Sequence, residues 1–154
     1  MPAPPAETRR QIGLPGRRTI VHDDNMFTSE ATTRSIRVEV TSEFDGERSN
    51  PAEEQWFFVY TIKITNEGQE TVQLRARHWT ITDDSGHVEE VQGPGVVGQQ
   101  PVLRPGDAFT YTSGCPLARP FGKMEGTYEM ATTSGENFDA RVAPFTLSEP
   151  YTVH

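Results

Sequence analysis

The sequence predicts an all-β protein, an antiparallel β-sandwich of about seven or more strands. Apolar residues alternate with polar ones at a period of two along most of the chain, as in strands that bury one face. Turn-forming residues interrupt this alternation at short spacing, and no segment shows helical periodicity over the length of a helix. Without helices between the strands, two facing antiparallel sheets are the natural way to bury both apolar faces.

We expect residues 1–30 to form a flexible tail and residues 31–154 to form one folded domain. The tail lacks hydrophobic periodicity and is crowded with Pro, Arg, Thr and Asp, a composition that buries too little apolar surface to fold. Met26 and Phe27, followed by a polar segment, resemble an alternative start of the chain. The residues before Met26 are therefore either a native tail or an extension foreign to the native protein.

Strand-like alternation begins after this tail. Ile36, Val38 and Val40 share one face of the first predicted strand. The next run, at residues 55–66, is rich in β-branched and aromatic residues and is expected to be the central strand.

A third run occupies residues 72–83, and its apolar face switches midway. The switch predicts a β-bulge near Arg77 and His78. A hairpin turn is expected at residues 83–86, followed by a short returning strand that begins at Val88.

The second half of the chain repeats this pattern. Alternating runs occupy residues 107–113, 123–132 and 137–143, and a Ser-Gly turn separates the last two. Aromatic residues such as Tyr111 and Tyr128 fall on inward positions, so we expect them to belong to the core.

Composition excludes several classes of function. Net charge is −8, and the chain from Met26 onward carries 10 basic against 19 acidic residues, so no basic stripe suited to nucleic acid is visible. No apolar run reaches the roughly 20 residues that span a bilayer. The single cysteine, Cys115, cannot form an internal disulfide, and no apolar signal core opens the chain. These features favour a cytoplasmic protein.

A glycine-rich segment, Gly93 to Gly98, spells G-x-G-x-x-G. A dinucleotide fingerprint requires a helix that opens on the motif. Here Pro101 and a Pro-Gly turn at residues 105–106 occupy the place of that helix. The segment is therefore a loop between strands, which we call the glycine loop.

The glycine loop has two interpretations. In the first it binds phosphate, with Gly93 as part of the site and with Arg75 or Arg77 as a charged clamp. In the second the glycines only form turns, and the two arginines, on one strand face at i and i+2, pair with acidic neighbours. The backbone donors in the first interpretation are the N–H groups of Gly95, Val96, Val97 and Gly98.

A metal site is a further hypothesis. His87 and Glu89 share one strand face, and Asp83 and Asp84 are close in sequence. Carboxylates of this kind suit a hard cation such as Mg²⁺. The alternative is that these acids only keep a surface hairpin soluble. Cys115 has no identifiable partner histidine and is expected to be buried and inert.

Several motifs follow one another in a distinctive order, and together they resemble the ApaG family, also called CorD, over about residues 35–154. The motifs are WTITD at 79–83, EVQGPGVVGQQP at 90–101, LRPG at 103–106, YTSG at 111–114 and GKMEGTYEM at 122–130.

The resemblance implies a fibronectin type III-like or immunoglobulin-like β-sandwich without disulfides, found as a small bacterial protein or as an interaction domain in larger eukaryotic ones. It also implies an association with cobalt and magnesium homeostasis, no established enzymatic activity, and a pyrophosphate site at the glycine loop. Pro94 departs mildly from the family pattern, since it stiffens the loop and removes one backbone donor.

Two functions remain open. The favoured one is a non-enzymatic module, without a cofactor, that binds a protein partner or a phosphate-bearing small molecule. The alternative is a metal-dependent enzyme acting on phosphoanhydrides such as nucleotides or dinucleoside polyphosphates, in which Asp83, Asp84 or Glu89 holds the metal.

Overall fold

The computed structural model describes residues 26–150, which form β-strands and two short 3₁₀ turns. The strands are β1 (Met26–Thr33), β2 (Ile36–Phe44), β3 (Trp56–Asn66), β4 (Val72–Asp83), β5 (Val88–Pro94), β6 (Val102–Leu103), β7 (Ala108–Leu117), β8 (Phe121–Thr132) and β9 (Asn137–Ser148). The 3₁₀ turns, Gly46–Arg48 and Pro51–Glu53, lie between β2 and β3. Among these residues, no helix is long and apolar enough to cross a bilayer.

The strands form two antiparallel sheets that pack face to face. One sheet has the order β1-β2-β3-β7, and the other has the order β5-β4-β8-β9, with β6 also paired to β4. The predicted antiparallel β-sandwich is confirmed, as are the strands predicted from period-two alternation. Ile36, Val38 and Val40, for example, are each at most 2% exposed.

The centre of the core is a cluster of aromatic rings. The Trp79 indole packs edge-on against Tyr60, Tyr128 and Phe145, with ring centroids 5.8, 5.9 and 6.0 Å apart. Gly126 on β8 lies opposite Trp79, and a Cβ at this position would be 2.9 Å from the indole and would collide with the backbone of β4. A glycine is therefore required for Trp79 to reach the core.

The expected boundary at residue 30 is wrong, because β1 begins at Met26 and pairs with β2 along its whole length. Its inward residues include Ser29 and Thr33, and they are only half-buried, so β1 shows little of the apolar alternation that marks a strand. Backbone pairing with β2 orders this segment instead. The expected tail otherwise falls on residues 1–25, which lie outside the described residues.

One side of the sandwich is closed by bonds between the sheets. The Ser29 hydroxyl donates to the Ala143 carbonyl at 3.1 Å, and the Arg141 N–H donates to the Thr33 hydroxyl at 3.0 Å. These bonds join β1 to β9. The strands β7 and β5, at the other ends of the two sheets, therefore lie on the opposite side, which we call the open side.

Candidate functional site

The glycine loop connects β5 to β6 along the open side and contains a tight hairpin. The Val96 N–H donates to the Gln99 carbonyl, and the Gln99 N–H donates back to the Val96 carbonyl, both at 2.8 Å. Val97 and Gly98 form the two-residue turn between them, with φ of 40° and 78°. Positive φ at both positions is the signature of the turn that matches the twist of a hairpin.

Gly95 sets the entry to this hairpin. Its φ is 61°, and its N–H donates to the Arg75 carbonyl at 2.9 Å. A Cβ on Gly95 would collide with the carbonyl oxygen of Gln99. The next side chain, Val96, is fully buried between the sheets. The loop is therefore anchored in the core and to β4.

These bonds correct the predicted set of phosphate donors. The N–H groups of Gly95 and Val96 are committed to Arg75 and Gln99 and do not point at a ligand. The Val96 bond closes the hairpin, and the Gly95 bond continues the pairing with β4, so the fold itself uses both N–H groups. Only the N–H groups of Val97 and Gly98 remain as candidate donors at the tip of the hairpin.

The two arginines do not share a strand face. The bulge in β4 lies between Leu74 and Ala76, so Arg75 is the extra residue, two positions before the predicted bulge. The extra residue shifts the alternation, so Arg75 is exposed while Arg77 lies on the same face as the buried Trp79. A clamp that uses both side chains from one face is therefore excluded.

Arg77 secures the loop from beneath. Its Nη1 donates to the carbonyls of Pro94 and Gly95 at 3.1 and 3.0 Å. Gly93 lies against the guanidinium, where a Cβ would be 3.2 Å from Nη1. The Gln100 side-chain amide donates to the Arg75 carbonyl at 2.8 Å, which adds a second anchor.

The predicted metal ligands are engaged in other contacts. Asp83 Oδ1 accepts bonds from the Ser85 N–H at 2.9 Å, from the Ser85 hydroxyl at 2.7 Å and from the His87 N–H at 3.2 Å. The Ser85 hydroxyl is the main cause of the lowered pKa of Asp83. Asp84 pairs with Arg119 at 2.5 Å. Asp83 therefore stabilises the predicted hairpin turn.

The four predicted ligands do not form a metal centre. Within residues 26–150, no group of three or more His, Cys, Asp or Glu side chains is arranged to hold a metal ion. The arrangement does not fit Mg²⁺, because Asp83 and Asp84 are already engaged by other groups and no further ligands in the described part of the chain converge with them. Asp83, His87 and Glu89 instead lie along one groove.

This groove is on the open side and has a volume of about 150 Å³. Residues from β4, from β5 and from the end of β7 meet there, so the groove lies between the two edge strands. Sequence reasoning missed the groove because its two walls are far apart in the chain and meet only through the packing of the sheets. Its apolar floor includes Ile81 and Leu117, with the exposed Pro116 beside them, and its polar lining consists of Asp83, His87 and Glu89.

Cys115 is buried, as predicted, with 3% of its surface exposed. Burial raises the pKa of its thiol to about 12. Because the thiolate is the nucleophilic form, this group is unreactive at neutral pH in the folded protein.

The two facing antiparallel sheets make this a small fibronectin type III-like β-sandwich protein. Its single cysteine forms no disulfide, and its glycine loop is anchored to the core. Residues 46–132 match the ApaG domain. The chain therefore belongs to the ApaG family.

Individual relatives agree with this assignment. The chain is 56% identical to Protein ApaG of Methylobacterium sp. strain 4-46 over 122 residues, which cover 79% of this chain and 94% of the relative. It is also 56% identical to Protein ApaG of Rhodospirillum centenum over 119 residues, 77% of this chain and 92% of the relative. The crystal structure of the ApaA protein from Bordetella pertussis superposes with a TM-score of 0.74 at 46% identity, covering 79% of this chain and 98% of that one.

Proposed function

We propose that this chain is a non-enzymatic binding module that engages a protein partner through the open side of its sandwich. One observation carries the proposal. The two sheets leave an edge strand each, β5 and β7, on the same side, with an apolar-floored groove between them. Unpaired edges and an exposed groove are features that proteins use to bind other chains.

The side-chain arrangement gives no support to the alternative, a metal-dependent enzyme acting on phosphoanhydrides. Asp83 holds a turn and Asp84 holds Arg119. Such an enzyme needs a metal to neutralise the charge that develops on the transferred phosphoryl group, and the candidate ligands are not gathered around one point.

Phosphate binding is a second candidate, favoured by one feature of the loop tip. The hairpin bonds leave the N–H groups of Val97 and Gly98 at the turn, and Arg75 is exposed on the adjacent strand. A small anion there would contact two amides and one guanidinium. We further propose that the protein acts in the cytoplasm, and that any role in cobalt or magnesium homeostasis is indirect, through its partner.

The proposal is tested by amide NMR spectra of the full chain. In one arm pyrophosphate, ATP or a dinucleoside polyphosphate is added with and without magnesium, and released phosphate is measured in parallel. In the other arm peptides selected from a phage-displayed random library are added. Saturable peptide shifts confined to β5, β7 and the groove would support the module. Phosphate release that is lost in Asp83→Asn and Asp84→Asn would establish the enzyme instead.

The Gly98→Ala variant distinguishes phosphate binding at the loop tip from protein binding on the open side. If the loop tip binds pyrophosphate, shifts at Val97 and Gly98 should saturate, and a methyl group at residue 98 should weaken them. Flat spectra with every phosphate would eliminate this candidate without affecting the peptide arm.

A further inference from the structure

The edge strand β5 is unusually open to a partner. Five of its seven residues are exposed, and only Val91 and Gly93 are half-buried. Within residues 26–150, β5 pairs with β4 alone. In the other edge strand on the open side, β7, only Ala108 and Pro116 are exposed. Of the two edges, β5 is therefore the more exposed.

The hairpin between β4 and β5 determines which backbone groups point outward. The Asp83 N–H donates to the His87 carbonyl at 3.0 Å, so these residues form a hydrogen-bonded pair. In antiparallel strands hydrogen-bonded and non-hydrogen-bonded pairs alternate. Further along the two strands, Glu89 lies opposite Ile81 and Val91 lies opposite Trp79. These are the next two hydrogen-bonded pairs.

The backbone groups of Val88, Glu90 and Gln92 consequently point away from β4. Pro94 falls in the same set, and proline is tolerated at such positions because it has no N–H to donate. Val88, Glu90 and Gln92 thus offer three N–H groups and three carbonyls to a chain lying alongside.

Charge determines what kind of chain fits. Glu89 faces the groove, and Glu90 lies on the outer face beside His78, whose Nε2 is 2.8 Å from its carboxylate. A second copy of β5 would bring its own glutamates against these, and like charges opposite one another are destabilising. A basic chain is attracted instead, as electrostatic complementarity requires.

The groove also limits which side chains the added strand can carry on the face that it turns toward the opposite sheet. Ile81 and Leu117 provide an apolar floor beside β5. Side chains of an added strand alternate between the two faces. The inner ones would lie beside Glu89 and the apolar floor, and the outer ones would meet Glu90.

We propose that the free edge of β5 binds an extended segment of another protein by strand addition, and that this segment alternates Lys or Arg with aliphatic residues. The inference rests on the proposed function and identifies the chemistry of the partner. Backbone bonds to Val88, Glu90 and Gln92 supply affinity, while the groove and the two glutamates supply selectivity.

The experiment uses a capped synthetic peptide that repeats Lys-Val, added to the full chain with amide NMR detection. Saturable shifts should centre on Val88, Glu90 and Gln92. An analogue N-methylated at every residue keeps the charges and side chains but has no N–H, and should bind at least tenfold more weakly if strand addition supplies the affinity. A Glu-Val repeat should not bind.

Variants locate the contact. Gln92→Pro removes one outward N–H without touching the bonds to β4, and should weaken binding about fivefold. Glu90→Lys should weaken it about tenfold. Glu129→Lys is the matched control, since it makes the same charge change at an exposed position on β8, away from the edge, and should leave binding unchanged.

Three results would overturn the inference: an N-methylated peptide that binds equally, shifts centred on β7, or no saturable shift at millimolar peptide. The proposed function is judged separately. If phage-selected peptides bind the open side while the Lys-Val repeat does not, the module stands and only the chemistry assigned to its partner is wrong.

Discussion

Replacing Gly95 by alanine should destabilise the protein much more than replacing Gly98 by alanine. Both glycines belong to the same loop and have positive φ, 61° and 78°. They differ in their surroundings, because a Cβ at Gly95 would collide with the Gln99 carbonyl whereas a Cβ at Gly98 meets nothing within 4 Å. The pair therefore separates the effect of backbone conformation from that of close packing.

The expected magnitudes follow from the contacts. The left-handed conformation costs an alanine about 1 kcal/mol at either position. At Gly95 the collision also forces the hairpin away from β4, so one or two backbone bonds worth about 1 kcal/mol each are lost. Partial exposure of Val96 adds about 1 kcal/mol. We expect Gly95→Ala to lower the free energy of unfolding by about 3 to 4 kcal/mol, and Gly98→Ala by about 1 kcal/mol.

Urea unfolding followed by tryptophan fluorescence measures both values, since Trp79 is in the core. The slope of the transition should be unchanged, so that midpoints report stability. Equal losses in the two variants would refute the reasoning and would mean that the loop is not anchored as described.

Three further predictions concern the anchor of the glycine loop and the core. Arg77→Met should cost about 1 to 2 kcal/mol in urea, because the carbonyls of Pro94 and Gly95 lose their shared donor, and an unchanged midpoint would contradict this contact. Cys115 should react with thiol reagents at pH 8 only as fast as the protein opens, so rapid labelling of the native protein would show an accessible thiol. Stability should fall as pH rises from about 9 toward 12, because burial raises the pKa of Cys115 from 9.0 and of Tyr60 from 10.0 to about 12, so the unfolded chain releases protons that the folded protein retains. Urea midpoints that stay constant across this range would rule out that linkage.

Period-two alternation was sufficient to predict most strands because the fold buries one face of each. The prediction failed where another force orders the chain. β1 is held by pairing with β2 and by hydrogen bonds to β9 rather than by apolar burial, so its first residues looked like part of a tail. The bulge at Arg75 was placed two residues late, because the switch of apolar face shows that an extra residue exists but not which residue it is.

The candidate site was less predictable than the fold. The sequence identified the glycine loop, but whether Gly95 offers its N–H to a ligand or to Arg75 depends on the position of β4. Asp83 and Asp84 resembled metal ligands in the chain, and their partners Ser85 and Arg119 became visible only in the folded structure.

By itself the sequence determined the fold class, most strands, the burial of Cys115 and the family, because each depends on local periodicity or on motifs contiguous in the chain. Only the tertiary structure decided that the N–H groups of Gly95 and Val96 are used in bonds within the fold and that Arg77 faces inward. It alone placed a groove beside the edge of β5. These features depend on how distant strands pair and pack, and the period of a single strand carries no information about its neighbours.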